Sequence, residues 1–165
     1  MTFHIRPTSE QDWLRLRDIR LEMLRDSPEA FAEKLEDALA LPEEAWRARA
    51  STGTANDSTF VVAIDDDTHE WIGSAGGLMH NGNPYLYGVF VRPQFRGSDL
   101  GVLNELVEEV EYWARTEGSV LSLHVHADSS RAQAAYRRLG FRATGNTIGS
   151  DRDPSVLEIE MVKEL

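Results

Sequence analysis

Arginine, glycine and serine crowd one short stretch of the chain, residues 91–101, whose sequence is VRPQFRGSDLG. It follows a strand-like run and precedes an amphipathic helical pattern. Backbone N–H groups at the start of a helix, together with the helix dipole, bind anions, and Arg96 adds a fixed positive charge. The turn therefore suits a phosphate-bearing ligand, although such turns also use glycine and serine for tight geometry alone. Asp99 brings a negative charge there, and its carboxylate can accept from the first N–H groups of the helix.

A short strand in TFHIRP, a helix, a second short helix in PEEAWRARA and then three strand-like runs are predicted before this turn. Thr8 and Gln11 have capping-box spacing, and Pro28 helps to end the helical segment. The apolar positions that repeat at helical spacing are Leu16, Ile19, Met23 and Leu24. The runs STFVVAI, WIGSAGGLM and YLYGVFV are separated by the turns DDDTHE and HNGNP, so they predict a meander of strands. Gly88, in the third run, suits a bulge or a close backbone approach.

The order of elements changes after the turn. The next helix carries an apolar face made of Leu103, Leu106, Val107, Val110 and Trp113. SVLSLHVHA predicts a strand, SSRAQAAYRRLG a helix that stops at Gly140, and FRATGNT and SVLEIEMVKEL two closing strands. A strand–helix–strand unit implies a parallel pair with a right-handed crossover. Ligands of such sheets bind at the carboxyl ends of the strands, which is where the turn lies.

Composition narrows the classes of protein. The 165 residues, 41% hydrophobic and 27% charged, predict one globular domain over residues 1–165. The absence of cysteine excludes disulfides, thiolate zinc sites and a cysteine nucleophile. The N-terminal MTFHIRPTSE has no apolar segment and no later run approaches the length of a bilayer, so we expect a cytoplasmic protein without a membrane partner. A net charge of −11 argues against nucleic acid, mildly favours a cationic or neutral substrate, and leaves a homodimer open.

Two motifs resemble those of the GCN5-related N-acetyltransferases, the GNAT superfamily. The turn is similar to the family's acyl-CoA-binding motif, R/Q-x-x-G-x-G/A after a valine and a prolyl turn, with Arg96, Asp99 and Gly101 on its defined positions. SSRAQAAYRRLGF is similar to the second motif, N-x-x-A-x-x-x-Y-x-x-x-G-F, whose marked places hold Ser129, Ala132, Tyr136, Gly140 and Phe141. Asp99 departs from the first motif glycine of the family, and Ser129 departs from its common asparagine.

The resemblance implies a fold and a coenzyme. The fold would be α+β in three layers, with a mixed, splayed central sheet flanked by helices, as in acyl-CoA N-acyltransferases. Acetyl-CoA would bind as a co-substrate where the strands YLYGVFV and SVLSLHV splay apart. Its pyrophosphate would lie on the turn, and its pantetheine would pair with the backbone before the turn. The implied coenzyme-binding residues are Val89, Phe90, Val91, Arg96, Gly97, Ser98, Asp99, Leu100, Gly101, Ser129 and Tyr136.

The resemblance also implies an acid and leaves the base open. Tyr136 matches the family's phenol that donates a proton to the leaving thiolate. Many relatives use a glutamate on the strand before the turn as the base, and YLYGVFV contains none. His124 and His126, which share one strand face, and His80 are the nearby candidates. The His-x-His pair has no evident third ligand, so we expect no metal.

Acidic residues near the early helices offer another option. Glu29, Glu33 and Asp37 either line an acceptor entrance or form a solvated helix face. The predicted function is transfer of an acetyl group from acetyl-CoA to a primary amine of a small molecule or peptide, by direct attack in a ternary complex. The alternative is a non-catalytic acyl-CoA-binding or sensing module of the same fold, which Asp99 and the missing glutamate favour. Loops such as NTIGSDRDPS vary freely on this scaffold, so the sequence does not identify the acceptor.

Overall fold

The computed structural model describes residues 1–97, 99–151 and 153–165, which form a mixed sheet with helices on both faces. The strands are β1 (Phe3–Pro7), β2 (Thr59–Asp65), β3 (Trp71–His80), β4 (Asn83–Val91), β5 (Val120–His126), β6 (Arg142–Gly149) and β7 (Leu157–Glu164). The helices are α1 (Trp13–Asp26), α2 (Leu35–Leu39), α3 (Glu43–Ser51), α4 (Val102–Glu117) and α5 (Ser130–Arg138).

The sheet has the strand order β1-β2-β3-β4-β5-β7-β6. Neighbouring strands are antiparallel except for β4 and β5, which are parallel. The parallel pairing consists of Tyr85 with Ser122, near the start of both strands. Beyond this pair no backbone pairing joins β4 to β5 in the described chain, so the sheet opens toward their carboxyl ends. The predicted mixed and splayed sheet is confirmed.

Two apolar layers hold the helices on the sheet. On one face, Leu106, Val107 and Val110 of α4 are buried against the sheet, and Leu103 and Trp113 pack partly buried beside them. On the other face, α1 buries each of its predicted apolar residues, Leu16, Ile19, Met23 and Leu24. Each such side chain contributes about 1.5 to 3 kcal/mol by leaving water. None of the helices in the described ranges combines the length and apolarity that a bilayer crossing needs.

The predicted capping box before α1 is wrong by one residue. Thr8 is fully buried, and its hydroxyl donates to the carbonyl of Ala50 at 2.8 Å, so it joins the end of β1 to α3. The backbone N–H of Ser9 donates instead to the carboxylate of Asp12 at 2.9 Å. Because Thr8 is buried in the core, the capping box is formed by Ser9 and Asp12, one residue later than predicted. The spacing of residues along the sequence does not reveal this burial.

A bulge at Gly88 bends β4 just before the turn. Ser74 of β3 pairs with Phe90, while Gly76 pairs with Tyr87, so two residues of β4 lie opposite one residue of β3. Gly88 has φ +61°, in the left-handed region that glycine adopts without strain. The predicted bulge is therefore confirmed, and it interrupts the alternation of side chains along β4 just before the strand reaches the turn.

Candidate active site

The predicted coenzyme turn lies at the carboxyl end of β4, beside the opening between β4 and β5. Gly97 has φ +120° and Gly101 φ +73°, backbone angles that would strain other residues. Gly101 immediately precedes α4, and its carbonyl accepts the N–H of Glu105 at 3.0 Å. The N–H groups of the first helical turn have no partner within a helix and lie at the positive end of its dipole. Ser98, also predicted to bind coenzyme, lies outside the described residues.

Arg96 is held by groups of the protein itself. Its Nε donates to the carbonyl of Val91 at 2.7 Å, and its guanidinium donates to the carboxylate of Asp26 at 2.7 Å. The guanidinium also lies 5.6 Å from the centre of the Phe90 ring. The hydrogen bond from Arg96 lowers the pKa of Asp26, so this carboxylate is ionised at neutral pH. Arg96 thus ties the turn to the end of α1.

Asp99 is exposed on the turn. Gly101 occupies the position before α4, and none of the described side chains caps that helix. Within the described part of the chain the Asp99 carboxylate makes no hydrogen bond to the first turn of α4, contrary to the capping role considered for it. Its charge nevertheless stands at the entrance to the turn. Leu100, next to it, is half-buried. It packs against the buried residues between α4 and the sheet, which we call the α4 core.

The end of β4 supplies the remaining predicted coenzyme residues. Phe90 and Val91 are buried, and Val89 packs partly buried on the α4 side of the sheet. Because Arg96 occupies the Val91 carbonyl, that acceptor already has a partner on the strand edge. The N–H of Arg92 donates to the carbonyl of Ile72 at 2.9 Å, which extends the β3–β4 pairing to the start of the turn.

Helix α5 packs Tyr136 against the apolar layer that α4 forms with the sheet. Its half-buried ring contacts Phe141 edge-on, with the centroids 5.8 Å apart. Burial, and secondly the charge of a nearby Tyr85 phenolate, raise the pKa of Tyr136 well above that of a free phenol. Tyr136 is therefore protonated at neutral pH and can act only as a proton donor or a relay.

Ser129 stands at the first position before α5, as its motif predicts. Its side chain makes no capping hydrogen bond there, and its backbone N–H donates to the carbonyl of His126 at 3.0 Å. The side-chain amide of Gln133 donates to the carbonyls of His126 and Ala127. These contacts fix the start of α5 against the end of β5.

The two candidate histidines of β5 have different partners. They alternate with the buried residues Leu123 and Val125, so both lie on the face of the sheet away from α4. The Nδ1 of His126 accepts the N–H of Asp128 at 3.1 Å, so a neutral His126 carries its proton on Nε2. The Nδ1 of His124 lies 2.9 Å from the hydroxyl of Tyr85 instead.

Tyr85 is the site residue that sequence reasoning missed. Its ring lies 5.4 Å from that of His124 and 5.0 Å from that of His80, centroid to centroid. Burial, and secondly the charge of Glu158, raise the pKa of Tyr85 to about 12. The alternation of YLYGVFV identifies the strand, but the partner of Tyr85 depends on the register between two strands that are far apart in sequence.

The acidic residues near the early helices do not form one surface. Glu29 and Asp37 are exposed, whereas Glu33 is half-buried and accepts hydrogen bonds from Arg20 at 2.9 Å and from Arg49 at 3.0 Å. Burial raises the pKa of Glu33, but the hydrogen bonds from these arginines outweigh it and leave the pKa lowered. Glu33 is therefore an ionised structural group, and its expected place on a solvated face is wrong. Among the described residues no cluster of three or more His, Asp or Glu side chains has metal-binding geometry.

Comparison with known proteins identifies the family. The sequence model of the acetyltransferase (GNAT) family matches residues 13–141, which include the turn, α4, β5 and α5. No curated protein matches the chain. The fold is similar to that of the PaiA N-acetyltransferase of Thermoplasma acidophilum in complex with coenzyme A, with a TM-score of 0.76 and 20% identity over 100% of both chains.

Two further solved structures have the same fold. An acetyltransferase of the GNAT family from Streptococcus pneumoniae has a TM-score of 0.81 and 17% identity, over 99% of each chain. NAA60 of Arabidopsis thaliana, solved in complex with a bisubstrate analogue, has a TM-score of 0.70 and 18% identity, also over 99% of each chain. At these identities the structural similarity shows only a shared fold. The family model matches most of the sequence and therefore shows the family. The chain belongs to the acetyltransferase (GNAT) family.

Proposed function

We propose that this protein is an N-acetyltransferase that moves an acetyl group from acetyl-CoA to a primary amine of a small molecule or peptide. The observation that carries the proposal is the opening between β4 and β5, whose only described pair is Tyr85 with Ser122, beside the glycine turn before α4. The protonated phenol of Tyr136 on α5, in the second motif, is a further feature that supports it. Membership in the acetyltransferase family supports the same reaction.

Each feature would hold a different part of the coenzyme. The N–H groups at the start of α4, with Gly97 and Gly101 shaping the turn, would hold the pyrophosphate. Backbone groups from Val89 to Val91 would pair with pantetheine, and Ser129 would border it at the start of α5. Arg96 would add its charge by exchanging Asp26 for a phosphate oxygen, since both acceptors are anionic.

The chemistry follows from these positions. The neutral amine attacks the thioester carbonyl, the carbon–sulfur bond breaks, and the Tyr136 hydroxyl gives its proton to the departing thiolate. A backbone N–H near Phe90 stabilises the oxyanion of the tetrahedral intermediate. Attack is direct in a ternary complex, so no acetyl group becomes attached to the enzyme. The amine must lose a proton, because its pKa in water is about 10.4.

The alternative function is coenzyme binding without turnover. Two observations favour it, namely the exposed charge of Asp99 on the turn and the pairing of Arg96 with Asp26. Both reduce the positive potential that an anionic ligand would meet. Cytoplasmic location, a homodimer and a single catalytic domain stay predictions.

A screen of amines with acetyl-CoA separates the two functions. Release of the free thiol would be followed for a broad panel of small amines and peptides, and the acetylated product identified by mass spectrometry. Coenzyme binding would be measured in parallel by calorimetry, with pantetheine as the control that lacks the pyrophosphate. We expect thiol release with at least one amine and much weaker binding of pantetheine. Tight coenzyme binding without turnover of any amine would favour the sensing module.

A further inference from the structure

Tyr85 and His124 meet at the point where β4 and β5 stop pairing. Tyr85 is opposite Ser122 in the parallel pair, and its hydroxyl reaches past that residue to Nδ1 of His124 at 2.9 Å. Both side chains are half-buried and lie on the face away from α4, since their neighbours Leu86 and Leu123 are buried in the α4 core.

We infer that Tyr85 and His124 together remove the proton from the attacking amine. The amine reaches this step as the free base, its ammonium proton having passed to solvent; as it attacks, one remaining N–H proton passes to the Tyr85 oxygen while the Tyr85 hydroxyl proton passes to Nδ1 of His124. The nitrogen lone pair forms the new bond to the carbonyl carbon, Tyr85 is neutral before and after, and His124 ends as imidazolium. This inference rests on the proposed acetyl transfer, in which Tyr136 separately protonates the thiolate. His124 then releases its proton to solvent, and Tyr136 regains one.

The properties of the two groups require them to act as a pair. A phenol whose pKa is about 12 holds almost no phenolate at neutral pH, so Tyr85 alone cannot take up a proton. Imidazole is the ordinary acceptor near neutrality, and Nδ1 is the atom of His124 that faces the phenol. His126 does not offer the same atom, because the N–H of Asp128 occupies its Nδ1.

The surroundings favour the charge that the relay produces. On β7, Glu160 is directly opposite His124 and Glu158 is opposite His126, so both carboxylates lie on the same face as the relay. Glu160 also accepts from the hydroxyl of Thr144 at 2.8 Å. These negative charges stabilise the imidazolium that the step forms. The titratable groups beside the pair are His80, Glu158 and Glu160, and Tyr136 and Asp151 interact with Tyr85 through their charge.

Two variants remove the parts of the relay, and each has a matched control. His124→Asn keeps a polar partner near Tyr85 but accepts no proton, and Tyr85→Phe keeps the ring and removes the hydroxyl. His69→Asn makes the same change in the β2–β3 turn, where φ is +59° and asparagine is tolerated. Tyr87→Phe also replaces a tyrosine of β4 by phenylalanine, two residues after Tyr85. The Tyr87 side chain packs against the buried residues between α1 and the sheet.

The decisive measurement is kcat/KM as a function of pH with an amine accepted by the wild type. An imidazole base stops working once it is protonated, so the wild-type rate should fall at acid pH more steeply than the ionisation of the amine, whose pKa is about 10.4, accounts for. His124→Asn should lose about 100-fold in rate together with this additional acid limb. Tyr85→Phe should lose a similar factor, and the double variant should lose no more than either single one. Both controls should keep the wild-type rate and limb.

Coenzyme affinity and melting temperature, measured for every variant, exclude a purely structural effect. A bridge that merely joins two strands would change stability while leaving the additional acid limb in place, and that result would overturn the relay. If the wild type binds coenzyme but acetylates no amine, the proposed function fails and the relay fails with it. If the wild type is active and His124→Asn keeps both rate and limb, the relay alone fails.

Discussion

At the scale of single residues, Tyr136 is a proton donor because its surroundings disfavour the phenolate. Burial holds the pKa of Tyr136 above its usual value, so the hydroxyl keeps its proton until the carbon–sulfur bond breaks and negative charge develops on the sulfur beside it. We predict that Tyr136→Phe lowers kcat about 100-fold, since general-acid catalysis contributes factors of this size. Single-turnover kinetics, with coenzyme affinity and melting temperature as controls, would measure the effect. An unchanged kcat would assign the proton to water.

Asp99 acts at the same scale through its charge. The exposed carboxylate makes no hydrogen bond to α4 in the described chain, so its removal should affect the folded state little. Asp99→Gly should bind CoA more tightly than the wild type, and the gain should shrink as salt rises, because screening weakens charge repulsion. Calorimetric titrations at low and high ionic strength would test this. Asp99→Asn, which keeps the shape, should show most of the gain, and a gain confined to the glycine variant would indicate backbone freedom instead.

The sequence predicted most of these residues but not the partners Tyr85 and Asp26, for a physical reason. Tyr136 and the turn lie in local patterns, in which spacing along one helix or one loop determines the neighbours. Tyr85 and His124 are 39 residues apart, and Asp26 and Arg96 are 70 apart. Their contacts depend on strand register and on how α1 packs, which no local pattern specifies.

At the scale of elements, Arg96 joins the coenzyme turn to α1. Its contacts with Asp26 and with the Val91 carbonyl hold the guanidinium at the edge of the site. We predict that Arg96→Ala weakens CoA binding by about 1 to 3 kcal/mol, the range for charge-assisted hydrogen bonds. Asp26→Asn should strengthen it, because the guanidinium then exchanges a neutral partner for the phosphate.

A double-mutant cycle, measured by calorimetry, distinguishes two roles of Arg96: binding the coenzyme through its charge, and supporting the turn structurally. If Arg96 serves the coenzyme, Asp26→Asn has no effect on affinity once Arg96 is alanine. If Arg96 only supports the turn, both single variants weaken binding and lower the melting temperature together. Matching losses in the two variants would therefore remove Arg96 from the coenzyme site.

Element order was the most predictable level of the fold. The meander, the crossover helix α4 and the bulge at Gly88 follow from periodicity and from glycine in a strand, and all three are present. The capping box failed because the choice between Thr8 and Ser9 depends on burial beneath α3. The local sequence could not predict the pairing of Arg96 with Asp26 either, because that pairing requires the end of α1 to lie beside the turn.

At the scale of the whole molecule, α1 links the helical layer to the site. Glu33, in the segment after α1, binds Arg20 of α1 and Arg49 of α3, and Asp26 at the end of α1 binds Arg96. Asp12, just before α1, pairs with Arg6 of β1. Hydrogen bonds from the arginines lower the pKa of Asp12 and Asp26, and for Glu33 they outweigh the effect of burial. These carboxylates contribute stability above their unfolded pKa values and lose it as pH falls through the folded ones.

Glu33 is the member of this set whose contribution can be isolated. Its unfolded pKa is 4.5 and its folded pKa is lower, so its stabilisation is complete above about pH 4.5 and disappears as the folded carboxyl is protonated. We predict that Glu33→Gln lowers the free energy of unfolding at pH 7 by about 1 to 3 kcal/mol, because two arginines lose a charged acceptor. The gap between the two proteins should narrow below pH 4.5, where the protonated glutamate resembles glutamine. Urea unfolding at pH 7, 5, 4 and 3 would measure it, with Glu36→Gln, an exposed position on α2, as the control that shows no gap. A gap that stays constant with pH would mean that packing, and not charge, joins α1 to α3 at this point.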